Sequence, residues 1–223
     1  PITGCGSKES ELTFDKIECL KFLRDKGIKT AKSISFKKNT EIKSEKIKKE
    51  IGFPCFIKAS KSGSSFGVYK VYNQEEFIDC LNSAFEIDDE ILVETFIEGR
   101  EFSIGVLTYK NKVTVLPITE IIASNDFFDY EAKYEGKSQE ITPAKIDDKL
   151  KDKLNKISKD IYNIIGLKGF SRSEFIVNKD GIYFLETNTV PGLTSESILP
   201  QQAQHAGISL EDLFVNSIYE VIK

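Results

Sequence analysis

The stretch Phe170-Ser-Arg-Ser-Glu-Phe-Ile-Val-Asn-Lys-Asp-Gly-Ile-Tyr-Phe-Leu-Glu-Thr-Asn188 reads as two strands around a tight turn. Strand side chains alternate, so Arg172 and Glu174 share a face of the first strand, and Ile182, Phe184, Glu186 and Asn188 share a face of the second. If Lys179-Asp180-Gly181 is a three-residue loop with Gly181 in the αL position of a G1 bulge, Asn178 faces Ile182, Glu174 faces Glu186 and Arg172 faces Asn188. Like charges placed directly opposite destabilise a sheet, so this register needs solvent or a cation between the two acids. Two carboxylates and an amide oxygen suit Mg²⁺, a hard ion that keeps waters and takes phosphate oxygens as further ligands. A two-residue loop would instead separate the acids and leave an ordinary surface hairpin with Glu174 and Glu186 exposed.

The hairpin belongs to a mixed pattern. Before it, residues 147–165 form a long helix with Leu150, Leu154, Ile157, Ile161 and Ile164 inward, closed by Gly166. Strands are expected near 90–97, 101–109 and 112–121, the last two joined at Lys110-Asn111. Further upstream, Asn73 and Glu76 make a capping box for a helix facing inward with Phe77, Leu81, Ala84 and Phe85. Cys55 to Ala59 reads as a buried strand, Phe66 to Tyr72 as another, and 44–51 as a Lys/Glu-rich helix. The N-terminal helix is expected over 14–26, with Thr13 as N-cap and Phe14, Ile17, Leu20 and Leu23 on its buried side. A short helix should run from about Leu210. Residues 124–144 show no period and read as a long loop. So many hairpins argue for α+β and against a doubly wound parallel sheet.

Composition limits the function classes. The chain has 223 residues, 40% hydrophobic and 30% charged, with a net charge of -4, the balance of a globular protein. No segment reaches the apolar length of a membrane span. The basic excess lies in the first 50 residues, where Lys37 to Lys49 is interleaved with Glu41 and Glu45 as on a solvated helix face, and the remainder is acidic. A nucleic-acid footprint is therefore not expected. Cys5, Cys19, Cys55 and Cys80 show no C-x-x-C spacing, and His205 is the single histidine, which reads as reduced, buried thiols in a cytosolic protein rather than a zinc set.

Three further segments could face a phosphate ester. Lys58 ends an apolar strand and is followed by the small, polar run Ser60 to Ser65, whose backbone N–H groups could approach phosphate oxygens. The same composition suits a flexible hairpin tip. Glu94 to Glu101 lies between two strands, where an edge backbone could take a purine and Glu101 could accept from ribose hydroxyls, or it is a hairpin with exposed acids. Asn188 to Ser197 is a rigid turn whose N–H groups and hydroxyls could hold an oxyanion or a carboxylate, or a plain loop.

As a set the segments resemble the ATP-grasp superfamily, and within it the D-alanine:D-alanine ligases. The similar stretches are Pro1 to Gly4 with Asp15-Lys16, Phe53 to Lys58, Gly63 to Gly67, Leu92 to Glu101, Phe128 to Tyr134, Gly169 to Glu174 and Leu185 to Ser197, in family order over nearly the whole chain. The resemblance implies two α/β subdomains with antiparallel sheets that sandwich ATP, a larger one at 1–24 and 99–223 and a smaller one at 25–98. It implies that Lys16 and Lys58 hold ATP phosphates, that Gly63, Ser64 and Ser65 cap them, that Glu94, Phe96 and Ile97 frame the adenine, and that Glu101 binds the ribose. Glu174, Glu186 and Asn188 would hold Mg²⁺ or Mn²⁺. Lys133 and Tyr134 would close over the γ-phosphate and substrate, with Ser64, Tyr134, Arg172 and Gly192 as catalytic groups and Ser197 and Ile198 receiving the second substrate.

The implied reaction is ATP-dependent joining of two D-alanines through an acyl phosphate, a step in peptidoglycan precursor synthesis. The implied setting is the cytoplasm, with no membrane or nucleic-acid partner and a homodimer in the full-length protein. Two alternatives are a dipeptide ligase using another amine such as D-serine, and a non-catalytic nucleotide-binding module. The chain departs from the family pattern at Ser62, where an acidic residue is common, at Glu174 for the usual aspartate, and at Glu196 for a common histidine. The family's N-terminal domain is not matched, so the 223 residues read as an enzyme cut at a domain boundary.

Overall fold

The computed structural model describes residues 2–123 and 138–222. Two antiparallel sheets carry the architecture. The smaller contains β1 (Ser33–Lys37), β2 (Cys55–Ala59), β3 (Val68–Val71) and β4 (Glu90–Thr95), in the order β1-β4-β2-β3. Helices α3 (Ser44–Glu50) and α4 (Gln74–Phe85) cover one of its faces. The alternation of β2 divides its roles: Cys55, Ile57 and Ala59 are buried, the first two among α3 and α4, while Phe56 and Lys58 point the other way. Asn73 caps α4, its side chain accepting from the Glu75 and Glu76 N–H groups at 3.0 Å, and the Asn73 amide donates to Glu76.

The larger sheet contains β5 (Arg100–Tyr109), β6 (Lys112–Val115), β7 (Thr119–Ala123), β8 (Ser138–Ile141), β9 (Phe170–Asn178) and β10 (Gly181–Asn188). Its path is β10-β9-β5-β7-β8, with β6 also paired to β5. The expected single strand over 112–121 is broken into β6 and β7, because Pro117 has no N–H to continue the ladder along β5. Strand β8 falls inside the segment expected to be loop. Lys110 and Asn111 both have positive φ, 49° and 63°, the geometry of a two-residue hairpin turn.

Helices α1 (Ser7–Phe14), α2 (Lys16–Asp25) and α5 (Asp148–Ile165) pack on one face of this sheet against Phe102, Ile104, Val106, Phe175 and Phe184. On the other face, α6 (Ile198–His205) and α7 (Leu210–Val221) bury Leu107, Leu116 and Phe170. Helix α6 had no expectation attached to it. The N-terminal helix is two helices, not one: Asp15 ends α1 and caps α2, accepting from the Glu18 N–H at 3.1 Å. Asp15 with Glu18 three residues on was the capping signal, rather than Thr13. Phe14 consequently falls at the junction and is 54% exposed instead of buried.

Candidate functional site

The hairpin from β9 to β10 sets the chemistry, and its register is reached by a different route from the one expected. The loop has two residues: Gly181 pairs with Asn178, and regular pairing runs to Phe184 opposite Phe175. Continued unchanged, that ladder would put Glu186 opposite Ser173 on the core face. A bulge at Leu185 intervenes, and beyond it Glu186 faces Glu174 and Asn188 faces Arg172. Phe184 and Glu186 are two apart yet lie on opposite faces, so the expectation that they share one is corrected. The extra residue lets Phe184 stack edge-on against Phe175 in the core, centroids 5.9 Å apart, while Glu186 turns outward.

Outward here means into a cleft of about 510 Å³ between the two sheets. Among its lining residues are Lys16, Lys58, Gly63, Ser64 and Ser65 from the first half of the chain, Glu94, Phe96, Ile97 and Glu101 from the crossover, and Glu174 and Glu186 from the hairpin. Segments scattered over 170 positions thus meet in one place. Asn188 and Arg172 stand directly beyond the two acids in the same ladder. Lys133 and Tyr134 lie outside the described residues.

The small-sheet wall is built around Lys58. Its Nζ lies 2.6 Å from Glu94 Oε2, a diagonal pair across β2 and β4, with side chains 16% and 6% exposed. Burial alone would lower the Lys58 pKa, but Glu94, with Glu186 and Glu101 farther off, outweighs it and holds the ammonium above its ordinary value. Phe56 and Phe96 lie with centroids 6.1 Å apart and ring planes tilted by 52°, with Lys70 Nζ 4.1 Å over the Phe96 ring, which makes an aromatic, cation-edged slot. The loop after β2 turns through Ser64 and Ser65 at φ 51° and 59°, a conformation that strains non-glycine residues and orients successive backbone amides. Gly67 closes it at φ 72°, where a Cβ would stand 2.9 Å from that of Ala59.

This loop is tied to α2. The Lys16 N–H donates to the Ser60 carbonyl at 3.1 Å, Lys16 Nζ donates to the Ser62 carbonyl, and Ser60 Oγ donates to Asp15 at 2.8 Å. Burial pushes the Asp15 pKa up, but Ser60, the Glu18 N–H and Lys61 together hold the carboxyl below its usual value.

The large-sheet wall is built around Arg172. Its Nη2 donates to Glu174 Oε1 at 2.9 Å, and Glu174 is 5% exposed. The expected alternative of an exposed surface hairpin is therefore set aside for Glu174. The Arg172 Nε is buried without a hydrogen-bond partner among the described residues. Asn188 Oδ1 accepts from the Val190 N–H at 2.8 Å, which orients the side chain at the turn leaving β10. That turn folds back so closely that a Cβ on Gly192 would lie 2.6 Å from Ser197 Oγ, and Ser197 occupies the N-cap position of α6 immediately before Ile198.

Three features were not read from the sequence. Arg100 grips Glu120 through two bonds of 2.7 and 2.8 Å at the cleft rim. Glu140 on β8 has its pKa raised by burial, partly countered by Arg172 and reinforced by Glu174. Gln202 is wholly buried beneath α6. Strand alternation across Arg100-Glu101 was a usable signal for the first, whereas a glutamine within a helix carries none. Cys5, Cys19 and Cys55 are buried free thiols as expected, but Cys80 is only half-buried.

A cation fits this wall on the chemistry of its donors. Glu174 and Glu186 oppose each other, an amide stands next in line, and acids outnumber bases along the cleft. Two carboxylates and an amide oxygen are the donors a hard ion takes, with water or phosphate completing its shell; among the described residues no group of three or more His, Cys, Asp and Glu side chains converges.

Comparison with known proteins gives a consistent result. The family described as D-ala D-ala ligase C-terminus matches residues 22–219. The chain is 53% identical over 218 residues to a D-alanine–D-alanine ligase of Flavobacterium johnsoniae, covering 98% of this chain and 68% of the relative. It is 50% identical to that of Christiangramia forsetii, covering 98% and 67%. Among solved structures it is similar to the VanG D-Ala:D-Ser ligase from Enterococcus faecalis, with TM-score 0.86, 34% identity and coverage of 98% and 64%. It is also similar to the D-alanine–D-alanine ligase from Bacillus anthracis complexed with ATP, with TM-score 0.82, 29% identity and coverage of 97% and 70%. The chain spans about two thirds of the length of the curated relatives it matches.

Proposed function

Because the chain belongs to the D-alanine–D-alanine ligase family and forms its C-terminal part, with the ATP-grasp fold, we propose that it is the nucleotide-binding and catalytic portion of an enzyme that joins two D-alanines as ATP is cleaved to ADP and phosphate. The observation that carries this is the meeting of Glu174 and Glu186, face to face, with buried Lys58 across one cleft. We assign residues 25–98 to the smaller subdomain and 1–24 with 99–223 to the larger.

In this reading Lys16 and Lys58 neutralise ATP phosphates as point charges, and the backbone from Gly63 to Ser65 covers them. The slot at Phe56 and Phe96, with Glu94 and Ile97, takes the adenine, and Glu101 the ribose. Glu174, Glu186 and Asn188 would hold Mg²⁺, which when bound offsets the charge of the phosphate oxygens. A carboxylate oxygen of the first D-alanine takes the γ-phosphoryl group, and Lys133, Tyr134 and Ser64 close over that reaction. The amine of the second D-alanine then displaces phosphate from the acyl phosphate. The donors of Arg172 and the Gly192 N–H hold the oxyanion as it develops, while Ser197 and the Ile198 N–H fix the acceptor carboxylate. Supporting this, Arg172 Nε is buried with no hydrogen-bond partner among the described residues. A cytoplasmic setting and a homodimer in the full-length protein accompany the proposal. No helix among the described residues is long and apolar enough to cross a membrane.

The full-length protein is expected to release phosphate from ATP only when D-alanine is present, and Glu186→Gln is expected to reduce the rate by at least about 100-fold. Mg-ADP binding without any amino-acid-dependent phosphate release would identify a non-catalytic nucleotide module instead. The likeness to a D-Ala:D-Ser ligase, together with Glu196 beside Ser197, supports a second reading in which the amine is D-serine. Comparing kcat/KM for D-alanine and D-serine as acceptors decides between them.

A further inference from the structure

Helix α6 covers one end of the same sheet face that floors the cleft, and the boundary between covered and open floor falls at Gln202. This side chain is fully buried. Its Nε2 donates to the Ser103 carbonyl at 2.8 Å and to Thr119 Oγ1 at 2.9 Å, and its Oε1 accepts from the Gly105 N–H at 3.0 Å. The three partners surround the place where Pro117 interrupts the ladder between β6 and β7. The Gln202 amide therefore satisfies backbone groups that a continuous strand would have paired. Gly105 has no side chain for the same reason: a Cβ there would stand 2.6 Å from Gln202 Oε1 and 2.9 Å from Leu116 Cδ1.

What makes this more than a filled gap is the register on the opposite side of β5. Ser103 pairs with Glu174, and Gly105 pairs with Arg172. Gln202 thus grips the two β5 residues that sit beside the reacting row of β9. At the other end of its own helix, one turn away, stand Ser197 and Ile198. One side chain links the helix carrying the acceptor anchor to the strand that sets the position of Arg172.

We propose that Gln202 is a positioning residue for the second substrate, fixing the height and rotation of α6 over β5 and so the span between the Ser197–Ile198 backbone and Arg172. The inference rests on the ligase reading above. A small displacement of α6 would move the acceptor amine relative to the acyl carbon held near Arg172, and an ångström of misplacement is enough to cost a large factor in rate. Of the elements assigned to the nucleotide, α2, β2, β4 and the loop after β2 hold the phosphates and the adenine and none of them hydrogen-bonds to Gln202, whose partners are Ser103, Gly105 and Thr119, so nucleotide binding should change far less than acceptor binding.

The test uses the full-length protein with Gln202→Met, which keeps the length of the side chain and removes all three hydrogen bonds. The expected result is an acceptor KM raised about tenfold, with KM for ATP and the Kd for Mg-ADP within twofold of the parent. Thr119→Val, a milder change that preserves volume and removes one of the three partners, should raise acceptor KM about twofold to threefold with the same selectivity; it carries the test if Gln202→Met does not fold. Acceptor KM unchanged in a folded variant, or ATP and acceptor constants rising together, would overturn the proposal and leave Gln202 a structural amide. A parent enzyme with no D-alanine-dependent phosphate release would instead remove the ligase reading itself, and this inference with it.

Discussion

The two walls of the cleft each carry one buried ion pair, and the pairs are finished to different degrees. On the small sheet, Lys58 and Glu94 come from neighbouring strands and meet at 2.6 Å. On the large sheet, Arg172 and Glu174 are two residues apart on a single strand and meet at 2.9 Å, but Arg172 keeps a buried Nε without a partner among the described residues and Glu174 faces a second carboxylate. The first pair matches one ammonium with one carboxylate. On the second wall, two carboxylates face each other and one Arg172 nitrogen has no partner among the described residues, an arrangement that the cation and oxyanion of the proposed function would suit. Under the proposed function the contrast separates binding from chemistry: the cation assigned to a phosphate is already paired, whereas the guanidinium assigned to developing charge keeps one nitrogen without a partner among the described residues.

The sharpest way to break the comparison is Arg172→Ala. It removes the ion-pair partner of Glu174 and leaves that carboxylate buried opposite Glu186, so stability should fall by about 3–5 kcal/mol and D-alanine-dependent phosphate release by about 1000-fold. Denaturant unfolding alongside kinetics separates the two losses, and a variant that kept both stability and turnover would show that the large wall needs no cation of its own. A smaller effect is expected from Lys58→Met. Alone it should cost about 3 kcal/mol, and Lys58→Met with Glu94→Met should recover most of that, because an apolar pair can replace a buried ion pair. Nucleotide binding, followed by calorimetry, should stay weak in both; recovery of binding with stability would make the pair structural only.

The smallest effect lies in pH dependence. The folded-state pKa of Lys58 is raised above its ordinary value of 10.5, so its contribution is complete below that pH and is lost as pH rises through the folded value. Unfolding of the parent should therefore show an alkaline loss of stability above pH 10.5 that the Lys58→Met/Glu94→Met pair lacks. Equal slopes in the two proteins would mean that Lys58 is not the group responsible.

Much of this molecule was legible residue by residue. Gly166 and Asp147 bounded α5, Asn73 with Glu76 announced α4, and Lys110-Asn111 announced a hairpin, because caps and turns are decided by the few residues that form them. Misreadings fell where a local signal competed with a distant one. Thr13 and Asp15 are both good caps, and the choice went to Asp15, whose carboxylate also accepts from Ser60 at 2.8 Å. Residues 112–121 look like one strand until Pro117 meets the β5 ladder and Gln202 arrives from α6 to fill the break. The candidate site was legible as a set of residue types in order, and its pairing of Glu174 with Glu186 was anticipated from a bulge placed at Gly181, four residues from where it occurs.

That bulge marks the division between what one-dimensional information determined and what three dimensions decided. The alternation of apolar and polar residues, the turn chemistry and the caps determined that there would be strands, that they would return on themselves, and that Arg172, Glu174, Glu186 and Asn188 would be available to a common face. Only the packed structure decided that Phe184 must enter the core against Phe175 while Glu186 enters the cleft, since two residues of equal parity can face opposite ways only if an extra residue is spent between them. The energy that places it comes from burying an aromatic ring on one side of the sheet and keeping a carboxylate out of that core on the other, contacts made with segments that are remote in the chain.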